Sequence, residues 1–171
     1  MKKPNTSLTA SKAAPLANAA DALYAQIQDV LQQARQQAKR SVNQAMVLAY
    51  WQVGKLIVEH EQGGEDRAVY GAQTLTTLAQ RLTAEFGSGF AVQSLRNYRQ
   101  FYLTFPTDEI RSTPWSELGW SHIKTIMRVP DPAARQWYAL EAVSQTWSVA
   151  ALDRQISTLY YQRLLSSQDQ D

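Results

Sequence analysis

Apolar side chains recur every three or four residues from Leu23 to Ile57, and no proline or glycine interrupts them before Gly54. Because an α-helix has 3.6 residues per turn, this spacing places them on one helix face. The opposite face is mostly glutamine. We predict one very long helix, or two in close succession, ended by Gln62-Gly63-Gly64. The apolar stripe comprises Leu23, Ile27, Val30, Ala34, Ala38, Val42, Ala45, Leu48, Ala49, Val53, Leu56 and Ile57.

Shorter helical patterns fill the rest of the chain, and no alternation typical of a β-strand is long enough to predict one. The predicted fold class is all-α: a long N-terminal helix or helix pair, then a helix-turn-helix-like unit, then further short helices. The predicted short helices are Thr74–Phe86, Val92–Leu103, one capped by Ser121 and ended by Pro130, one from Pro132 to about Thr146, and a last one capped by Ser148 with Val149, Leu152, Ile156 and Leu159 facing inward.

Composition divides the chain into three parts. Residues 1–20 are rich in Lys, Ser, Thr, Ala, Asn and Pro and read as a flexible leader, residues 21–165 as one helical domain, and residues 166–171 as a polar tail. The chain has no cysteine, which excludes disulfides and thiolate zinc sites and points to a reducing, cytoplasmic location. No secretory signal and no apolar run long enough for a membrane span is present.

The segment from Thr74 to Phe105 has the order helix, glycine turn, helix that is typical of a helix-turn-helix, with Gly87 at the C-cap and Phe86 in the buried stripe. In its second helix, Gln93, Arg96, Asn97 and Gln100 follow the spacing i, i+3, i+4, i+7. Such side chains share one face, and Arg, Asn and Gln can form paired hydrogen bonds to base edges. The alternative is an ordinary solvated face, since surface helices are usually polar and the net charge is only +2.

Three further cations and four tryptophans extend this interpretation. Arg99 flanks the same face and is a candidate phosphate ligand, while Lys124 and Arg128 lie four apart and project together. The tryptophans read as core or interface anchors rather than as a stacking platform for single strands, which would require exposed rings. They are Trp115, Trp120, Trp137 and Trp147.

The sequence contains no pattern that indicates catalysis. His60 and His122 lie in separate segments without metal-ligand spacing, and no phosphate-binding loop, serine-nucleophile motif or dinucleotide fingerprint occurs. A metal-dependent nuclease would require an acidic residue followed by an acid-x-Lys group, and Glu141-Ala142-Val143 lacks the lysine. We therefore expect no catalytic residue, no metal and no cofactor in this chain.

Several segments, in order and at matching spacing, together resemble the N-terminal domain of the YhcG family. They include Tyr50-Trp51-Gln52-Val53-Gly54-Lys55, Tyr70-Gly71, Leu78-Ala79-Gln80-Arg81-Leu82, Phe86-Gly87-Ser88-Gly89-Phe90, Leu95-Arg96-Asn97-Tyr98-Arg99-Gln100-Phe101-Tyr102, Leu118-Gly119-Trp120-Ser121-His122 and Trp147-Ser148-Val149. One departure is Ala91, where the family usually has a serine that would cap the second helix.

The resemblance implies a bacterial protein whose helical domain precedes a PD-(D/E)xK nuclease-like domain that this chain does not contain. The first hypothesis is therefore a DNA-binding module that targets a nuclease, supplied in cis or in trans, with Gln93, Arg96, Asn97, Arg99, Gln100, Lys124 and Arg128 at the DNA. The alternative is a protein-interaction or oligomerisation module without nucleic-acid binding, for which a homodimer or a larger species is expected.

Overall fold

The structure, a computed structural model, describes residues 13–62, 69–112 and 114–168. Within these ranges it holds seven α-helices and no strand, so the predicted all-α class is confirmed. The chain divides into two compact units, Met1–Ser41 and Val42–Asp171. The α-helices are α1 (Ala13–Gln62), α2 (Val69–Phe86), α3 (Val92–Thr104), α4 (Trp120–Ile126), α5 (Pro132–Ser144), α6 (Val149–Ser157) and α7 (Tyr160–Gln168).

The apolar stripe at the start of the chain lies on one uninterrupted helix and not on a pair. Helix α1 begins at Ala13, inside the segment predicted to be a flexible leader, and Pro15 lies in its first turn, where a missing backbone N–H costs nothing. Residues 1–12 lie outside the described residues. The helix continues through Gly54, so that glycine is not a breaker.

The described side chains of the first unit are all exposed from Ala20 to Ser41. This includes the largest apolar ones: Leu23 is 57% exposed, Ile27 49% and Val30 63%. The helical spacing predicted from sequence is therefore correct, but in this unit the stripe faces outward.

The second unit is built around α3. Leu95 and Tyr98 pack with Ile57 of α1 and Ala79 of α2, while Phe101 belongs to a larger cluster with residues of α4, α5 and α6. All five tryptophans belong to or pack against that larger cluster, which supports the interpretation of four of them as core anchors. These four are Trp115, which is buried, and Trp120, Trp137 and Trp147, which are half-buried.

Three local expectations differ from the structure. The N-cap of α4 is Gly119 and not Ser121, which lies inside the helix. Phe86 and Leu159, both predicted to face inward, are 60% and 58% exposed. The last predicted helix is two helices, α6 and α7, because Leu159 takes a left-handed φ of 52° between them. Residues 166–168 of the predicted polar tail belong to α7, and residues 169–171 lie outside the described residues.

Candidate nucleic-acid interface

A tight turn joins α2 to α3. Gly87 takes a φ of 90°, which strains residues with a Cβ, and its N–H donates to the Thr83 carbonyl at 3.0 Å, as expected for a helix C-cap. A short 3-10 helix, Ser88–Phe90, follows. The Tyr98 hydroxyl of α3 then donates to the Gly89 carbonyl at 2.9 Å, so the turn is bonded back to the helix it introduces.

The inner side of α3 is fixed by close packing. Leu95, Tyr98 and Phe101 are at most 2% exposed. Gly54 of α1 lies so near that a Cβ there would come within 1.9 Å of the Tyr98 carbonyl oxygen. The Tyr98 ring also stacks on Tyr50, at 4.3 Å between ring centroids. This burial, and secondarily the neighbouring Tyr50, raises the pKa of the Tyr98 phenol.

The outer side of α3 carries the predicted recognition face. Gln93, Arg96 and Gln100 are exposed and Asn97 is half-buried. The Gln93 Nε2 donates to Asn97 Oδ1 at 3.3 Å, and the Gln100 Nε2 donates to the Thr104 hydroxyl at 3.2 Å. The bond between Gln93 and Asn97 uses the amino group of Gln93 and the oxygen of Asn97. The Gln93 oxygen and the Asn97 amino group therefore keep hydrogen-bonding capacity toward a ligand.

The two arginines of this helix have different surroundings. Arg99 forms an ion pair with Glu61 of α1, with 2.7 Å between Nε and Oε2, and both side chains are partly buried. Among the described residues, Arg96 has no ion-pair partner. Arg96 is thus the guanidinium of α3 that can meet an anion or a base without first breaking a pair. Glu61 lies 38 residues from Arg99, so sequence spacing gave no signal of their contact.

The structure brings the two separately predicted groups of residues together. A groove with a volume of about 500 Å³ runs between α3 and α4, which we call the α3–α4 groove. One wall carries Asn97 and Gln100, and the other carries Lys124 and Arg128. Gln93, Arg96 and Arg99 are not among its lining residues. The lining is completed by Ser121, Thr125, Met127 and Val149.

The two cations of the groove are held differently. The Lys124 Nζ lies 6.0 Å from the centroid of the Trp120 ring and the side chain is exposed. The Arg128 guanidinium donates to the Asp153 carboxylate of α6. Both partners of that pair are at least half exposed, at 63% and 50%, where an ion pair contributes little stability and exchanges readily.

Ser121 is a groove residue that the sequence reasoning missed. The sequence predicts Ser121 as a helix cap, yet it lies inside α4 and lines the groove. Its position relative to Lys124 and Arg128, three residues and then seven, is the spacing of one helix face. This spacing could have placed Ser121 on the same face as Lys124 and Arg128, but it does not fit a residue at the helix cap.

His122 has a structural contact. Its Nε2 lies 2.9 Å from the Trp147 carbonyl oxygen, so a ring N–H donates there and ties α4 to the turn before α6. Within the described ranges, no three His, Cys, Asp or Glu residues come together as metal ligands would. In the same ranges, no helix combines the length and the apolar character that crossing a bilayer requires.

Comparison with known proteins gives two findings. A family model described as the DUF1016 N-terminal domain matches residues 26–163. A protein of Escherichia coli strain K12 named "Putative nuclease YhcG" is 35% identical, over 85% of this chain and 48% of its own length. The chain therefore spans about half the length of this curated relative. No solved structure matches it.

Proposed function

Because the chain belongs to the DUF1016 N-terminal domain family, we propose that it is a DNA-binding module that directs a nuclease to its target and is not itself catalytic. The name of the E. coli relative describes a nuclease, and about half of that protein lies outside the match. We assign catalysis to a nuclease domain that acts with this module in cis or in trans.

The α3–α4 groove is the observation that carries this proposal. Two amide side chains of α3 line it together with Lys124 of α4 and Arg128, which follows α4, although 24 or more residues separate amides from cations in sequence. Amides suit base edges and cations suit phosphates, so the two walls together provide both kinds of contact that a DNA-binding surface needs. An ordinary solvated helix face would not require the two sets to meet.

The proposed contacts divide into base contacts and phosphate contacts. Gln93 and Asn97 would form paired hydrogen bonds to adenine, and Arg96 would form them to guanine, in a major groove about 12 Å wide that admits one helix. Lys124 would neutralise a phosphate, and Arg128 would do the same after exchanging Asp153 for it. Arg99 contributes least, since its ion pair with Glu61 must break first.

Duplex binding at several salt concentrations tests the proposal. We expect Lys124→Ala to lower the slope of log affinity against log salt by about one, because one phosphate contact is lost. We expect Arg96→Ala to cost about 1–3 kcal/mol and to relax preference at one base pair. Gel-shift or fluorescence anisotropy titrations with a mixed-sequence duplex library provide both readings.

The matched control is Arg163→Ala in α7, which removes the same charge from an exposed residue outside the α3–α4 groove. It should leave the slope and the preference unchanged. Equal losses in all three variants, or no duplex binding at micromolar protein and low salt, would contradict the proposal.

An oligomerisation module without nucleic-acid binding is the second candidate. The observation that favours it is the exposed apolar stripe of the first unit, in which Tyr24 is 66% and Leu31 53% exposed. Side chains of this size are usually covered by a partner when they form a continuous stripe. The two candidates are compatible, because helix-turn-helix proteins often bind DNA as dimers.

A further inference from the structure

The first unit presents a regular heptad pattern on α1. Counting from Ala20, apolar or small residues occupy every third and then fourth position up to Ser41, which is three heptads or about 33 Å of helix. All of these side chains are exposed. We call them the seam: Tyr24, Leu31 and Ala38 at positions a, and Ala20, Ile27, Ala34 and Ser41 at positions d.

The outer face of the same helix segment is polar. Positions b, c and f hold glutamine, charged residues and two alanines. On this face the Gln33 Nε2 donates to the Asp29 carboxylate at 2.7 Å, so that carboxylate is satisfied away from the seam. A polar outer face and exposed apolar a and d positions are the pattern of one helix of a coiled coil.

We propose that the occupant of the seam is a second copy of this chain, bound antiparallel, so that the protein is a two-fold symmetric dimer through residues 20–41. This deepens the second candidate function by naming the partner, its direction and its register, and it does not depend on DNA binding. A two-fold interface must be complementary to itself, and side-chain size and charge along this helix segment favour the antiparallel direction.

Side-chain volume sets the register. In an antiparallel pair each a position faces a d position of the partner, and a register centred on residue 29 places Tyr24 opposite Ala34 and Ile27 opposite Leu31. The largest seam residue thus meets a small one. In a parallel pair Tyr24 would meet its own copy, which would leave that layer crowded.

The flanking charges independently select the same direction. Position e faces e of the partner in an antiparallel pair, and the register centred on residue 29 places Asp21 beside Arg35. The g positions then bring Val30 against its own copy. In a parallel pair e faces g, and Arg35 would instead lie beside the apolar Val30, where its charge has no partner.

Light scattering tests whether the dimer forms. The unmodified chain should show twice the mass of one chain, and Leu31→Glu should halve it. Leu31 is exposed in the single chain, so the glutamate cannot unfold it by burying a charge, and an unchanged helical circular dichroism spectrum verifies this. Gln32→Glu, on the outer face, is the matched control and should remain dimeric. A monomeric unmodified chain at high micromolar concentration overturns both the dimer and the second candidate function.

Charge exchange tests the register. Asp21→Arg should raise the dissociation constant on the order of tenfold, because two symmetric attractions become two repulsions. Adding Arg35→Asp to the same chain should restore the original value. A double variant as weak as the single one contradicts the pairing of Asp21 with Arg35.

Disulfide formation tests the direction, and the absence of cysteine makes any introduced one unique. Gln28→Cys lies near the two-fold axis at position e and should cross-link to its own copy. Asp29→Cys, one residue away on the outer face, should not. Ala20→Cys should not cross-link either, because its own copy lies about 27 Å away in the antiparallel pair. A rapid Ala20→Cys cross-link would show a parallel dimer and overturn the proposal while leaving oligomerisation intact.

Discussion

Gly54 lies where α1 crosses α3, and no other residue type fits there. A Cβ at this position would come within 1.9 Å of the Tyr98 carbonyl oxygen, which is backbone and cannot move alone. We expect Gly54→Ala to lower the free energy of unfolding by about 3 kcal/mol, since overpacking of this kind displaces a helix. Chemical denaturation followed by circular dichroism measures the loss.

Gly89→Ala is the control for that substitution. A Cβ at Gly89 meets nothing within 4 Å. Its effect should stay below about 0.5 kcal/mol, as at most exposed sites. Equal losses for the two alanine variants would show that the α1–α3 approach does not limit stability.

Tyr98 makes the free energy of unfolding depend on pH in the alkaline range. Burial raises the pKa of its phenol, so the folded chain keeps the proton above pH 10, where the unfolded chain releases it. The stabilisation is complete below pH 10 and declines as the pH rises toward the folded-state pKa. Between pH 10 and 11 the wild type should therefore lose stability relative to Tyr98→Phe, by up to about 1.4 kcal/mol per pH unit.

The comparison of the two proteins isolates this effect, because the other tyrosines are common to both. At neutral pH Tyr98→Phe should cost about 1 kcal/mol, since its hydrogen bond to the Gly89 carbonyl is lost. Urea denaturation at pH 7, 10 and 11 gives both readings. Parallel pH profiles for the two proteins would show that Tyr98 titrates alike in the folded and unfolded chains.

Single residues show how far sequence reasoning reaches. The sequence predicts Gly87 at a C-cap, because a positive φ is a local property for which glycine is the preferred residue. The sequence does not predict the requirement for glycine at position 54, because that requirement comes from close contact with a helix more than 40 residues away. Leu159 adopts a left-handed φ of 52° with neither glycine nor asparagine to signal it, so the break between α6 and α7 was not predictable.

At the scale of elements, α3 lacks the side-chain cap that α5 and α6 have. The Asp131 and Ser148 side chains accept backbone N–H groups at the starts of α5 and α6, whereas Ala91 at the start of α3 accepts none. Ala91 has extended backbone angles that a capping serine adopts. We expect Ala91→Ser to raise the free energy of unfolding by about 1 kcal/mol.

Thermal or urea unfolding measures this gain, with Ala150→Ser as the control. Ala150 is an exposed residue inside the first turn of α6, where serine has no orphan N–H to satisfy that Ser148 does not already serve. That variant should lose a few tenths of a kcal/mol. A serine at position 91 that is neutral or harmful would show that the α2–α3 turn cannot admit the cap.

The sequence predicts which candidate site residues share a face of one helix, but not which helices meet to form the site. The spacing of Gln93, Arg96 and Asn97 fixes a common face on α3, and that much is a property of one helix. That this helix shares a groove with Lys124 and Arg128 depends on how α3 and α4 pack, which hydrophobic periodicity does not specify. The pairing of Arg99 with Glu61 escaped prediction for the same reason.

At the scale of the whole molecule, the two units differ in what they bury. The apolar core consists of residues from Val47 onward, whereas no described side chain between Ala20 and Ser41 is buried. The chain lacking residues 1–41 should therefore fold, with a melting temperature within about 2 °C of the full chain at low protein concentration.

The shortened chain also separates the two proposed activities. It should be monomeric at every concentration, because it lacks the seam, and it should retain the α3–α4 groove and bind duplex DNA. Circular dichroism, light scattering and anisotropy measure the three properties. Loss of folding would show that the second unit depends on the first, and loss of DNA binding alone would place DNA contacts before Val42.

Because α3 is buried on one side and exposed on the other, selection for stability and selection for binding act on different residues. Leu95, Tyr98 and Phe101 are constrained by packing, whereas Gln93, Arg96 and Gln100 meet solvent and carry almost none of the folding free energy. Substitutions at the second set are nearly neutral for stability. Descendants of this sequence can therefore change what the helix contacts while inheriting the way it is held, and the target of such a module can diverge faster than its fold.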